Sequence, residues 1–220
     1  MISILMPIYN GIEFIDESIG SILSQTYDNW ELIVGINGHN ENSEIFKIAK
    51  QFEKKSDKIR VYDFFNLKGK SATLNEMLKY CKYDYIAILD VDDIWFPTKL
   101  QNQIFFVGSY DVIGSRCIHF ADSDMIPNIP VRDISNFDFT KVNPIINSSV
   151  IIKKDLCFWN KDNDGVEDYD LWLRLRFHNA KFYNCPQILV RHRVHESSSF
   201  NTQNHSLKIN NMIRTYNNSL

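Results

Sequence analysis

Cysteine is scarce and scattered in this chain. The 220 residues carry four, Cys81, Cys117, Cys157 and Cys185, with no Cys-x-x-Cys pair. That argues against a zinc knuckle and a disulfide framework, so the four read as reduced, buried thiols. A surplus of either charge is also missing. With 24 basic and 27 acidic side chains the formal net charge is −3, too weak a field to draw in a polyanion, and no nucleic-acid partner is expected. Long apolar runs are absent as well. Met1 to Met6 is apolar but lacks a basic leader and is closed by Pro7, and no later stretch approaches the length of a membrane span. The expectation is a soluble, cytoplasmic chain. Internal repeats and low-complexity tracts are lacking too, and 44% hydrophobic residues in this length suit one core and one domain.

What is present is an alternation of two periodicities. Ile2 to Met6 reads as a buried strand, and Asn10-Gly11-Ile12-Glu13 has the spacing of a capping box before a helix with Ile12, Ile15, Ile19, Ile22 and Leu23 on its apolar face. Leu32-Ile33-Val34 reads as a second strand, Asn37 to Asn42 as a polar loop, and Ile45, Ile48, Ala49 and Phe52 as the next helix face. Ile59 to Phe65 is a third strand; Leu74, Met77, Leu78 and Cys81 mark a third helix, which leads into the strand Tyr85 to Leu89. Strand and helix in alternation predict a mostly parallel sheet covered on both faces. A helix near Leu100 to Phe106 and a strand at Val112 and Ile113 follow, after which Asp, Asn and Pro accumulate between Asp122 and Asn143. The remainder reads as a strand within Ile145 to Lys153, a helix after Asp168, two short strands at Lys181 to Tyr183 and Ile188 to Val194, and a polar tail on which Leu207, Ile209, Met212 and Ile213 suit a short docked helix.

Chemistry concentrates at Asp90-Val91-Asp92-Asp93, which directly follows an apolar strand. In an open α/β sheet the ligand crevice lies at such strand ends, and hard divalent cations take oxygen from one or two carboxylates together with substrate phosphates. The rival reading has these acids capping a helix whose first turn contains Pro97. Three other matches fail. Gly69-Lys70-Ser71 lacks the upstream glycine of a phosphate-binding P-loop, since Phe64 stands there. The run Asn160 to Gly165 lacks the closing glutamate of a calcium loop, since Leu171 stands there. His192 and His195 have the wrong spacing for a helical zinc site.

Four segments in order resemble the family-2 glycosyltransferases, nucleotide-sugar-dependent enzymes of the GT-A fold: Met6-Pro7-Ile8-Tyr9-Asn10 with Ser21 to Tyr27, Leu89 to Pro97, Glu167 to Arg174, and Arg193 to Ser197. The likeness runs from Ile2 to about Ser199. It implies a GT-A catalytic domain over residues 1–200, with a nucleotide-sugar half to about 115, an acceptor half from about 116, and a tail at 201–220. The implied reaction moves a sugar from a nucleoside diphosphate sugar (a UDP-sugar first, GDP or dTDP sugars as alternatives) to a hydroxyl of a glycan or other acceptor, by inversion and with Mn²⁺ or Mg²⁺. By the same resemblance Asp92 is the direct ion ligand, with Asp90 and His195 beside it and Asp93 in support. Asp168 is the general base, and Glu167 a weaker candidate. Pro7, Tyr9, Asn10, Asn37, Lys70 and Asn75 fall on the nucleotide-sugar side, and Trp95 is divided between core and acceptor wall. The pattern departs from the family at Ile36 and Asn37, where an Asp pair is usual, and at Leu74, where Arg is common. These departures keep alternatives open: a nucleotide-sugar binder with little or no turnover, or, further off, a nucleotidyltransferase, although Pro7 to Ile12 lacks the basic phosphate loop of the latter. From spacing alone, Asp168 is as well suited to a helix cap.

Overall fold

β-Branched and leucine residues fill the first two strands so completely that both are buried on each face, as befits the centre of a parallel sheet. The computed structural model describes residues 1–195 and 205–217. β1 (Ile2–Ile8) runs parallel to β2 (Trp30–Asn37), and β2 to β3 (Ile59–Phe64); on its other side β1 pairs in parallel with β4 (Tyr85–Ile88). Between them lie α1 (Ile15–Leu23), α2 (Glu44–Lys50) and α3 (Lys70–Met77). The chain continues through the two-residue β5 (Ile94–Trp95), α4 (Lys99–Gln103), the long β6 (Val112–Ala121), the short β7 (Arg132–Asp133), β8 (Ile151–Lys153), α5 (Glu167–Phe177), β9 (Phe182–Val194) and α6 (Ser206–Asn217). Among the described residues all nine strands share one sheet, in the order β3-β2-β1-β4-β8-β6-β9-β5, with β7 on β9.

The period-2 alternation sorts side chains between two cores. Ile4, Met6 and Ile8 of β1 with Leu32, Val34 and Ile36 of β2 pack under α1 and α2, against Ile15, Ile19, Ile22 and Phe52. Leu5, Ile33, Ile86 and Ile88 face the other way, onto Leu74 and Met77 of α3, Leu171, Trp172 and Leu175 of α5, and Met212 of α6. The four cysteines are free and buried, in line with the expectation.

Several local expectations are corrected. Pro7 does not end the first strand but lies within it, paired with Gly35. The β4 ladder stops at Leu5 and Ile88, so the missing proline N–H deprives no partner on that side. The capping box at Asn10 to Glu13 is not formed: Gly11 leads a short 3-10 turn with φ +85° and no side-chain cap, and α1 starts only at Ile15. Leu23 is 39% exposed. Asn37 belongs to β2, not to the loop after it. Ile94 and Trp95 pair antiparallel with Arg191 and Val190 of β9, and the next helix begins at Lys99, so the acids at 90–93 do not cap it. The two short C-terminal strands are one, β9, whose pairing with β6 is parallel and irregular at Ser115 to Cys117. α6 docks through Met212 with Ile209 and Ile213, while Leu207 is 80% exposed. The end of the closing motif, Glu196 and Ser197, lies outside the described residues.

Candidate functional site

The parallel strands β1, β2, β3 and β4 all present their C-terminal ends to one edge of the sheet, and the chain turns there are the polar ones. Beyond β4 the backbone turns at Asp90, with Asp93 N–H donating to the Asp90 carbonyl. This turn separates the three acids. Asp93 is 1% exposed; its carboxylate accepts from the Arg193 backbone N–H at 2.9 Å and meets His192 Nδ1 at 3.1 Å, tying the turn to β9. Burial lowers the affinity of His192 for a proton, but the Asp93 carboxylate outweighs it and pushes the imidazole up to about 9. Asp92 lies further out, with Oδ2 3.0 Å from His195 Nε2, while Arg193 Nε donates to its backbone carbonyl at 2.9 Å. Burial, then the neighbouring charges of Asp93 and Asp90, hold the Asp92 carboxyl above its ordinary range.

Asp90 turns toward α3. Lys70 Nζ donates to its Oδ1 at 2.6 Å, and Asn147 Nδ2 to its Oδ2 at 3.0 Å. Burial would raise Asp90, yet the Lys70 charge wins and holds it below the usual carboxylate range. Lys70 also stands 3.6 Å from Glu167 Oε1. Burial works against its charge, but Asp90 and Glu167 raise its pKa above the ordinary lysine value. The ammonium therefore joins the end of β4 to the start of α5, regions 77 positions apart in sequence at Asp90 and Glu167.

Two loops make that junction. Gly69, at φ +89°, leads into α3, and a Cβ there would lie 1.9 Å from Asp164 Oδ2. The same carboxylate accepts from Ser71 N–H through Oδ1 at 2.8 Å, satisfying a free N–H of the first helical turn. Asn75, expected on the nucleotide side, instead has both amide ends engaged by the Trp159 backbone, at 2.7 and 3.0 Å. The segment before α5 is thus stitched to α3. Glu167 reaches back to accept from Gly165 N–H at 2.7 Å. Asp168 follows in the first turn, half-buried, with Asn143 Nδ2 donating to its Oδ2 at 3.2 Å. Burial foremost, then the Glu167 charge, push the Asp168 carboxyl up to about 6, against the pull of Lys70. It is still predominantly ionised at neutral pH, but as a stronger base than an ordinary aspartate.

At the ends of β1 and β2, Tyr9 is 56% exposed and stacks on His39 at 5.2 Å between centroids. Gly38 underlies the pair: at φ +75°, a Cβ would come within 2.8 Å of the Tyr9 ring. Asn37 is buried beside them, Asn10 exposed, and Pro7 buried. Trp95 is core, not wall: 2% exposed, with its indole N–H donating to the Ser148 carbonyl at 2.6 Å. The sequence reading missed His39, Asn143, Asn147 and Asp164. His39 had a visible signal, an aromatic ring next to a turn glycine, and Asp164 lay in the acidic run Asn160 to Gly165; Asn143 and Asn147 are polar residues between strands with no local signal.

A mostly parallel sheet with helices on both faces, and acids gathered beyond its strand ends, is the GT-A architecture of nucleotide-sugar enzymes. TarS of S. aureus in complex with UDP-GlcNAc shares this fold at a TM-score of 0.79 and 15% identity, over 98% of this chain and 66% of that one. The mannosyltransferase PcManGT from Pyrobaculum calidifontis, in complex with GDP-Man and Mn²⁺, does so at 0.69 and 14%, over 90% of this chain and 58% of that one. The sequence profile of Glycosyl transferase family 2 matches residues 3–157, and the chain belongs to that family. Among its relatives are the putative glycosyltransferase EpsE of Bacillus subtilis, 31% identical over 98% of this chain and 80% of its own length, and WfgD of Escherichia coli, a UDP-Glc:α-D-GlcNAc-diphosphoundecaprenol β-1,3-glucosyltransferase, 31% identical over 90% and 79%. Among the described residues no helix is long and apolar enough to cross a membrane.

Proposed function

We propose that this glycosyltransferase takes a UDP-sugar as donor and transfers the sugar to an acceptor hydroxyl with inversion, in one displacement, with Asp168 as general base. The observation that carries the reading is the junction at Lys70, which joins Asp90 to the helix start bearing Asp168. It links the donor-side acids to the helix start that carries a half-buried, proton-hungry carboxylate, which supports one site for both. Residues 1–115 form the donor half, 116–200 the acceptor half, and 201–220 a tail that contributes α6. WfgD, a UDP-Glc-dependent glucosyltransferase, and TarS, in complex with UDP-GlcNAc, support uridine as the base, and polysaccharide assembly is the corresponding setting.

The donor side divides by chemistry. Tyr9 and His39 offer stacked rings for a nucleobase, and the buried Asn37 amide offers both a donor and an acceptor to its edge. Asp90, held ionised by Lys70, accepts from ribose hydroxyls, and Lys70 attracts the diphosphate. A divalent cation, Mn²⁺ or Mg²⁺, fits at Asp92 with His195: a carboxylate crowded by other acids and an imidazole 3.0 Å away are ligands such an ion accepts. Among the described residues no three ligand side chains form a ready cage, which suits an ion that takes its remaining ligands from phosphates and water. When bound, it neutralises charge growing on the departing diphosphate. Asp93 and Arg193 hold the Asp92 backbone in place. Asp168 takes the proton of the acceptor hydroxyl as its oxygen bonds the anomeric carbon and the diphosphate leaves with the bonding pair.

The test is release of nucleoside diphosphate from a panel of UDP-, GDP- and dTDP-sugars with Mn²⁺, Mg²⁺ or chelator, followed by NMR of the product anomer. UDP release that requires the ion, with an inverted anomer, is the expected result. No release above background, despite donor binding seen by calorimetry, would return the chain to the binding class.

A further inference from the structure

We infer that Asn143 is the positioning residue of the base, its amide N–H holding Asp168 Oδ2 so that Oδ1 faces the acceptor hydroxyl. This rests on the reading of Asp168 as base.

The geometry is over-determined for a loop residue. Asn143 lies in the irregular stretch between β7 and β8, yet its side chain is fixed at both ends. Oδ1 accepts from Ile145 N–H at 3.2 Å, which assigns Nδ2, the donor, to Asp168. The next residue is anchored from below: the Pro144 carbonyl accepts from Asn184 Nδ2 at 2.8 Å, and the same amide group holds the Pro130 carbonyl at 2.8 Å. Asn184 is fully buried on β9. It sits against Gly114 of β6, where a Cβ would come within 2.2 Å of Asn184 Oδ1. The loop is also strapped to α5 itself, by Tyr169 Oη donating to the Phe139 carbonyl at 2.6 Å and Arg176 Nε to the Phe137 carbonyl at 3.3 Å. Asn143 and Asp168 are therefore held in one frame, built from the acceptor half.

The charged groups facing Asp168 are otherwise engaged. Glu167, its neighbour on α5, is turned to Gly165 N–H and Lys70, and its charge opposes ionisation of Asp168. Lys70 of α3 favours ionisation, but its hydrogen bond goes to Asp90. Asn143 thus supplies the neutral side-chain hydrogen bond that stabilises the ionised base from outside its helix. Oδ2 accepts from the amide, the Tyr169 backbone N–H adds a second hydrogen bond that favours the ionised form, and the proton is taken at a remaining lone pair of the carboxylate. Without the amide, only the Tyr169 backbone N–H still restrains the carboxylate by a hydrogen bond, and the carboxyl holds its proton more tightly.

Two variants separate this from a packing role. Asn143→Ser keeps an oxygen for Ile145 N–H but is too short to reach Asp168. Asn143→Asp keeps the turn and sets an oxygen against the carboxylate. NMR titration of the carboxyl carbons, with Asp168 assigned by the signal lost in Asp168→Asn, needs no substrate. Its pKa should rise in Asn143→Ser and further in Asn143→Asp. With the UDP-sugar selected by the release assay, kcat should fall about 10- to 100-fold, the usual range for losing a group that orients a reacting one. The donor KM should stay within about twofold, and the acidic limb of the pH profile should move to higher pH. Folded variants with an unmoved titration and profile would overturn the inference even if kcat fell, because packing alone would then be at work. Near wild-type turnover in Asp168→Asn would instead remove the base assignment itself.

Discussion

Asp168 shows how much a single environment alters a common residue. Burial and Glu167 raise it to about 6, so turnover should fall as pH drops through that region and the base becomes protonated. Asp168→Asn should leave donor affinity intact and lower kcat by a factor of about 10² to 10⁴, the usual range for a lost acid-base group; steady-state kinetics with calorimetry on the same preparation measure both. Lys99 shows the same physics away from these acids. It is fully buried, with Nζ donating to Gln103 Oε1 at 2.7 Å and no carboxylate paired with it among the described residues, and burial holds it well below the ordinary lysine range. Its folded pKa is lowered, so the unfolded chain binds the extra proton, and the resulting penalty fades as pH rises toward the unfolded value of 10.5. The stability of Lys99→Met minus that of wild type, from urea unfolding, should therefore shrink as pH rises toward 10.5. A flat difference would mean the lysine is charged in the folded protein.

At the scale of elements, the site depends on how α3 and α5 begin. Both helix starts are organised by the loop before α5: Asp164 caps α3 through Ser71 N–H, and Gly165 N–H is taken by Glu167. Gly69 permits this because a side chain there would collide with the Asp164 carboxylate and φ is +89°. Gly69→Ala should destabilise the fold by about 1–3 kcal/mol, the range for forcing a side chain into a positive-φ position with loss of a cap. It should also weaken diphosphate binding by displacing Lys70. Urea unfolding reads the first effect and calorimetry with UDP the second; normal values of both would show that the loop simply moves aside. Lys208 of α6 adds a further tie, donating to the Asp164 carbonyl at 3.0 Å.

For the whole molecule, a ligand that binds only the folded state raises its stability in proportion to the logarithm of concentration over Kd. At 100 times Kd that amounts to about 2.7 kcal/mol, which for a chain of this size corresponds to an increase in Tm of roughly 5–10 °C. UDP with Mn²⁺ should produce a rise of this order in scanning calorimetry. Chelator, or Asp92→Ala, should remove most of it, and an equal rise in the Ala variant would displace the ion from Asp92.

The strand and helix order through β4, the single-domain size, the free cysteines and the Asp-rich turn after β4 were all legible in the sequence, because local periodicity and strand-end polarity are encoded within a few neighbouring positions. Asp90, Asp92 and Asp168 stood out for the same reason, as acids within short, ordered motifs. What the tertiary structure alone decided was who meets whom. Lys70 finds Asp90 and Glu167, Asn75 is taken up by Trp159, and Trp95 goes into the core. Asn143 reaches Asp168 across 25 positions that include β8. The continuous β9, parallel to β6, was equally invisible, since a strand's partner and direction depend on the path of the chain between them and not on its own residues. Pairings of this kind are long-range: burial raises the energy of each lone charge or amide, and only the closed fold determines which neighbour relieves it.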